Sequence, residues 1–502
     1  MHLQTCSIYI VGKMEGESIA ELSHLNLRGE LNIKCLENVR DEKEAKMANL
    51  EKKQHLHMLG LLWGGNEGLS KMSAEGRNLP EVKDIKNRHS TEPSHRYYGG
   101  AGGGGSGEVE AILEGLKPHR NLQKLFIKGY NGVKFPLWFL PNLTAMVLIN
   151  CKSCVYLPTL GQLPCLKTLY LQGLSKVKLI SREFYADDIQ KPFPSLKELT
   201  IRDFPNLDEW FGIEDKEPFV CLEKLHINNC PNLKAAPFFP SLHHLELRGC
   251  HPSIVNSLEK VSTLSILVID SFPDMVLSGE LLRNNHFLTS LKISSCPNIR
   301  SLPLQLENLT ALKSLTISWC EELSSLPQGL QNFKSLESLV ISECHGLTSL
   351  PEDGIGGLSS LKVLSIENCN NLTSLSNGLQ NLIALEHLTI MYCPKLVSLP
   401  NNFSNLLALR SLSILCCPEL VSLPEGLQHV TALHSLELRS CPALKELPDW
   451  NIYSSLRSLS LSDCQNLTSL PEELLREDGL ASLQSTSDHE NWGNKSRQLY
   501  SC

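Results

Sequence analysis

Leu312-Lys-Ser-Leu315-Thr-Ile317-Ser-Trp319-Cys320-Glu-Glu-Leu323-Ser-Ser-Leu326-Pro327 decides how the chain is read. The same frame returns from Leu336, Leu361, Leu385, Leu409, Leu433 and Leu456, at steps of 24, 25, 24, 24, 24 and 23 residues. Self-similarity at a fixed period of this length is the signature of a stacked repeat. Upstream, the frame starts at Leu122, Leu143, Leu166, Leu196, Leu222, Leu242, Leu264 and Leu288, at irregular steps of 20 to 30 residues. Three weaker units around Leu3, Arg28 and Leu56 bring the expected total to about eighteen.

The first leucine of each unit is position one here, so Leu312, Leu315 and Ile317 stand at positions one, four and six, and Cys320 at nine. A short strand at the centre alternates sides, which sends positions four and six inward and positions three, five and seven outward. One coil cannot bury its inward face, whereas stacked coils share a continuous apolar core beneath a parallel sheet. The Leu-Pro that closes most units suits an irregular or polyproline back, since proline cannot continue a ladder. The expected fold is therefore α/β, a leucine-rich-repeat solenoid (horseshoe) with a parallel concave sheet and an irregular, short-helical convex side.

The chain has 502 residues, 42% hydrophobic and 20% charged, with a net charge of −8 from 46 basic and 54 acidic side chains. That mild acidity argues against a nucleic-acid partner, which calls for a basic face. No apolar run has the ~18 residues of a membrane span. The N-terminus, MHLQTCSIYIVGKMEGES, lacks a basic region and a cleavage site, so a cytoplasmic location is expected. In that compartment the 18 cysteines stay reduced. Eleven of them (Cys151, Cys230, Cys250, Cys296, Cys320, Cys344, Cys369, Cys393, Cys417, Cys441 and Cys464) fall where the chain turns off the strand. A small apolar thiol fills such an interior slot, so these are expected to be structural and not metal or redox sites. Cys151-Lys-Ser-Cys154 has CxxC form with no second pair at zinc spacing.

The array is expected to divide into N-terminal repeats over 1–63, a flexible Gly-rich disordered insertion over 64–107, the main array over 108–476 and a C-terminal cap with a loose tail over 477–502. Residues 37–54 should be helical on the convex back, anchored by Val39, Ala45 and Leu50, and residues 108–117 should form a short amphipathic helix. The Gly-rich run ends in Gly107-Glu108-Val109 and not Gly-Lys-Ser/Thr, which excludes a phosphate loop there.

Several stretches carry a family resemblance: Ser18–Val39, Glu108–Leu122, Phe135-Pro-Leu-Trp138, Leu157-Pro-Thr-Leu-Gly-Gln-Leu-Pro164, and Phe193-Pro-Ser-Leu-Lys-Glu-Leu199 followed by Trp210. In them the chain resembles the leucine-rich-repeat region of plant coiled-coil-type nucleotide-binding leucine-rich-repeat (NLR) disease resistance proteins. The resemblance implies an intracellular role in defence. The repeats would recognise a pathogen effector or a guarded host protein and restrain a nucleotide-binding switch domain. This sequence contains no Walker A motif, so the family's ADP/ATP site maps to no residue here, and no cofactor is expected. Met1 falls inside what looks like an early repeat, so the sequence is expected to be either a truncated gene product or one part of a longer chain.

Outward positions supply the candidate protein-binding residues: Lys124, Phe126, Tyr170, Arg202, Lys224, His226, His244, Glu246 and Arg248, with Trp319 and Tyr392 at position eight. Aromatic and arginine side chains are the usual interface anchors. The serine-rich outward face of the C-terminal half points to a structural spring, and the varied N-terminal half to recognition. His226, His243 and His244 invite a metal reading, but alternation puts His243 and His244 on opposite sides, and no metal is assigned. No catalytic constellation rises above the repeat background, so no enzyme activity is expected. An extracellular leucine-rich-repeat receptor or inhibitor is the alternative; it predicts a signal peptide, paired cysteine caps and asparagine in the turn.

Overall fold

The computed structural model describes residues 5–14, 16–64, 106–186, 189–213, 216, 218–272, 279–447 and 456–467. The expected insertion over 64–107 and tail over 477–502 lie almost wholly outside them. The chain forms two compact units, Met1–Leu233 and Lys234–Cys502.

In the first unit, among the described residues, eight parallel strands carry the repeat frame: β1 (Ile8–Ile10), β2 (Gly29–Lys34), β3 (Leu56–Leu62), β4 (Lys124–Lys128), β5 (Ala145–Ile149), β6 (Thr168–Gln172), β8 (Glu198–Arg202) and β10 (Lys224–Cys230). Two short strands, β7 (Leu179–Ile180) and β9 (Glu209–Trp210), pair separately. The second unit contributes ten: β11 (His244–Cys250), β12 (Ile266–Asp270), β13 (Ser290–Ser294), β14 (Ser314–Ser318), β15 (Ser338–Ser342), β16 (Val363–Glu367), β17 (His387–Met391), β18 (Ser411–Leu415), β19 (Ser435–Arg439) and β20 (Ser458–Ser462). The two sets match the eighteen units read from the frame, and the leucine-rich-repeat solenoid stands.

Positions four and six are buried in every coil from Leu31/Ile33 to Leu436/Leu438, as the two-residue period requires. Residue pairing runs in frame along the second unit, with Leu291, Leu315, Leu339, Leu364, Leu388 and Leu412 stacked side by side. Truncating one such leucine to alanine removes contacts with two neighbouring coils, at a cost of about 2–5 kcal/mol.

The backs of the second unit sharpen the polyproline expectation. Pro303 and Pro327 are themselves extended (φ −66°, ψ 145° and φ −63°, ψ 143°), and each starts a single 3₁₀ turn, Leu304–Asn308 and Gln328–Asn332. Proline presets φ and its missing donor is harmless at a turn start. Leu306, Leu330 and Phe333 then plug the interior. Asn285 is a fully buried polar side chain among these backs. Its Nδ2 donates to the Val261 carbonyl (2.7 Å) and the Leu281 carbonyl (2.7 Å), and its Oδ1 accepts from the Leu264 amide (2.8 Å).

In the first unit the helix expected over 37–54 shortens to α1 (Glu42–Met47) between the 3₁₀ turns Leu36–Asn38 and Leu50–Lys52; α1 starts at Asp41, whose carboxylate accepts from the Glu44 amide, and Val39, Ala45 and Leu50 are buried as expected. α2 (Ser106–Gly115) occupies the second stretch read as helical. Glu44 is buried yet accepts from the Ser18 hydroxyl (2.7 Å), the Arg40 amide (2.9 Å) and the Arg40 guanidinium (3.1 Å).

The residues that carried the family resemblance are largely core. Phe193 and Phe219 stack at 5.0 Å, Tyr185 and Trp210 meet Phe219 edge-on, and the Trp210 indole donates to the Tyr185 hydroxyl at 2.7 Å. Gly161 passes against the Tyr185 backbone so closely that a Cβ would sit 2.0 Å from its carbonyl oxygen.

Candidate functional site: the outward sheet face and its turn row

Each strand of the array ends in the same turn. Position eight is left-handed in coil after coil: Asn150, Asp203, Asn229, Ser271, Ser295, Trp319, Glu343, Asn368, Tyr392, Cys416, Ser440 and Asp463 have φ between 51° and 61°, and Gly129, Gly173 and Gly249 join them. A non-glycine residue pays on the order of 1 kcal/mol for this conformation, least for Asn and Asp, whose short side chains bond locally. The turn aims the position-nine cysteine inward. All eleven expected turn cysteines are buried, and the Sγ of each donates to the carbonyl two residues back, as in Cys296 to Ser294 (3.2 Å) and Cys441 to Arg439 (3.3 Å). Within each unit that carbonyl also accepts the position-eight amide of the preceding coil, so Ser318 O takes both the Ser295 N–H (2.9 Å) and the Cys320 thiol. Burial pushes the thiols of Cys151, Cys296, Cys369 and Cys417 up to about 12, so they stay protonated and serve as small apolar fillers with one donor.

The expected contact residues separate by exposure. In the first unit, Phe126, Val147, Tyr170, Thr200 and His226 form one in-register row at position five. Bulky side chains on strands only ~4.8 Å apart cover one another. Phe126, Tyr170 and His226 are therefore just 6%, 1% and 2% exposed. They do not offer the open contact area that position five implied. Lys124 and Lys224 remain exposed, and Arg202 is half-buried.

A polar ladder that the sequence did not single out ties this face together. The Tyr170 hydroxyl donates to Gln172 (3.0 Å), the Gln172 amide to Asp203 (2.9 Å), and Asn229 to the other Asp203 oxygen (2.9 Å), with the Arg202 guanidinium 3.6 Å from that carboxylate. Tyr170 and Arg202 were sequence candidates; the members the sequence missed are Gln172 at position seven and Asp203 and Asn229 at position eight. In the second unit, Arg248 bridges Glu246 (2.8 Å) and Asp270 (3.1 Å), and His244 lies half-exposed on the same strand, β11. Trp319 and Tyr392 stand out at 53% and 51% exposed.

One further row flanks the strands. Position two carries Lys313, Glu337, Lys362, Glu386 and Arg410 in five successive coils, with Lys362–Glu337 at 2.8 Å and Arg410–Glu386 at 3.4 Å.

Family models match both units. Residues 19–88 and 96–174 match the model of R13L1/DRL21 leucine-rich repeats, and residues 220–461 match that of a leucine-rich repeat region. The chain belongs to the leucine-rich-repeat proteins. This leucine-rich-repeat chain is 33% identical over 319 residues to disease resistance protein RGA2 of Solanum bulbocastanum, covering 61% of this chain and 27% of that protein. It is 34% identical over 311 residues to RGA1 of the same species (61% and 25%) and 33% identical over 313 residues to the disease resistance RPP13-like protein 1 of Arabidopsis thaliana (59% and 25%). It is thus similar to the repeat region of plant NLR disease resistance proteins, and spans about a quarter of the length of these relatives. Among solved structures, a leucine-rich-repeat protein of Leptospira interrogans aligns with a TM-score of 0.42 at 21% identity, over 74% of this chain and 92% of that one. The repeat domain of the type III effector XopL aligns with a TM-score of 0.31 at 31% identity, over 36% and 62%. No helix among the described residues is long and apolar enough to cross a membrane.

Proposed function

We propose that this chain is the protein-binding repeat region of an intracellular plant immune receptor. It recognises a pathogen effector or a guarded host protein, and restrains a nucleotide-binding switch carried by a separate domain. The observation that carries this reading is the similarity to plant disease resistance proteins over 61% of the chain, joined to a fold of the kind that repeat proteins use for extended binding surfaces. The burial of the eleven turn cysteines, each in its own coil as a small apolar filler, fits an intracellular setting where thiols stay reduced. On this reading the chain catalyses nothing and needs no cofactor of its own; nucleotide belongs to the switch domain.

The test grafts this chain onto the nucleotide-binding portion of RGA2 in place of that protein's own repeats and expresses it in leaf tissue. A quiet basal state that converts to cell death with one member of an effector panel is the expected result, and Lys124→Glu with Lys224→Glu should alter which member triggers it. Constitutive cell death together with no direct binding to any effector or host protein of the panel would overturn the proposal.

A further inference from the structure

The position-eight row of the second unit carries a large aromatic side chain at two places. The turn favours Gly, Asn or Asp, yet Trp319 and Tyr392 hold left-handed backbones (φ 56° and 54°) while each leaves about half its surface in solvent. The backbone row is continuous through them: Trp319 N–H donates to Ser342 O (3.0 Å), Glu343 N–H to Glu367 O (2.9 Å), Asn368 N–H to Met391 O (2.8 Å), and Tyr392 N–H to Leu415 O (2.8 Å). The left-handed turn is common to the coils, so what sets these two apart is a large aromatic ring left half in solvent, where it contributes little to the core.

The charge between the rings selects the ligand. From β14 to β18, positions three, five, seven and eight hold two carboxylates, Glu343 and Glu367, and no Lys or Arg. Glu367 accepts from Ser365 (2.6 Å) and Glu343 lies 3.6 Å from His345, so both carboxylates are anchored at the sheet surface. Cations are drawn to the faces of Trp and Tyr rings, with arginine the commoner partner. Three strand steps separate Trp319 from Tyr392, about 14 Å at ~4.8 Å per step. In an extended peptide, residues four apart share a face and lie about 13 Å apart. We propose that the strip Trp319–Glu343–Glu367–Tyr392 docks an extended basic segment of a partner protein, with arginines four residues apart seated on the two rings and their charge met by the two carboxylates.

This rests on the protein-binding reading above and names the chemistry of the partner; it moves the weight of recognition toward the second unit. The test needs no immune readout, so the two can fail separately. Binding of labelled Ser/Thr peptides carrying arginine at every fourth position is measured by fluorescence anisotropy against isomers of the same composition with arginine at every third. The full chain should prefer the four-spaced peptide. W319N/Y392N should weaken it about tenfold, the loss of two exposed cation–π contacts, and abolish the preference, while melting at or above the unsubstituted protein. E343Q/E367Q should weaken binding and flatten its salt dependence, and E280Q/E352Q, which neutralises carboxylates away from the strip, should not. No binding, equal binding of the two isomers, an unaffected or lower-melting W319N/Y392N, or an equal loss in E280Q/E352Q would each overturn the proposal.

Discussion

The thiol of Cys320 donates to the carbonyl of Ser318 at 3.5 Å, reaching back past the left-handed Trp319 that separates them. The arrangement recurs at all eleven turn cysteines, so the reactivity of the chain's thiols follows from it. Cys165 and Cys221 are exposed, whereas the eleven turn thiols are buried and those with values near 12 carry almost no thiolate at neutral pH. Alkylation of the folded chain at pH 8, followed by peptide mass mapping, should label Cys165 and Cys221 first. The eleven should react only when denaturant unfolds the coils. Early labelling of Cys369 or Cys417 would contradict the buried-filler account.

Asn285 should be among the costliest polar positions to alter. Asn285→Leu keeps the number and branching of the side-chain heavy atoms but strands two buried carbonyls and one amide, each unmet group costing about 1–3 kcal/mol. Denaturant melts should show a loss of several kcal/mol, whereas Asn284→Ala, removing one exposed bond to the Glu259 carbonyl, should cost under about 1 kcal/mol.

Glu44 predicts an acid dependence in the first unit. Burial works to raise its carboxyl, but the Arg40 amide, the Ser18 hydroxyl and the Arg40 guanidinium outweigh that and hold it below the usual carboxylate range. A folded value below the unfolded one contributes stability that is present above about pH 4.3 and is lost as pH falls through the folded value. Glu44→Gln should therefore lower stability at pH 7 and shrink the difference between melts at pH 7 and pH 3. An unchanged difference would remove Glu44 from the account.

Gly161→Ala should destabilise the first unit by about 1–3 kcal/mol or more, since the added methyl meets fixed backbone at Tyr185 and no flexible side chain. Circular dichroism melts of this variant beside Gly107→Ala, where a Cβ meets nothing, separate the clash from a general glycine effect.

Positions one, four, six and nine are legible in the sequence, because a residue in a shared core is constrained by every coil beside it. Spacing alone places Leu315, Ile317 and Cys320 in the interior, where all three lie. Exposure along position five is not legible in the same way, because Tyr170 and His226 are covered by neighbours that lie a coil away in sequence and whose sizes, not their period, decide the outcome. The left-handed turn is hidden for a related reason. Asn368 announces such a backbone, but Trp319, Glu343 and Tyr392 do not, and only their place in the frame beside Asn150, Asp203 and Gly173 betrays it.

The alternating row at position two has a bearing on how the array can change its length. Coils of near-identical sequence invite pairing out of step, since Leu315 would stack on Leu364 as readily as on Leu339. Loss of the coil bearing Glu337 would set Lys313 beside Lys362, whereas loss of the next coil with it would set Lys313 beside Glu386. The sign pattern thus works as a parity check: mispairing by one coil meets repulsion, mispairing by two meets attraction, and coils are best gained or lost in twos.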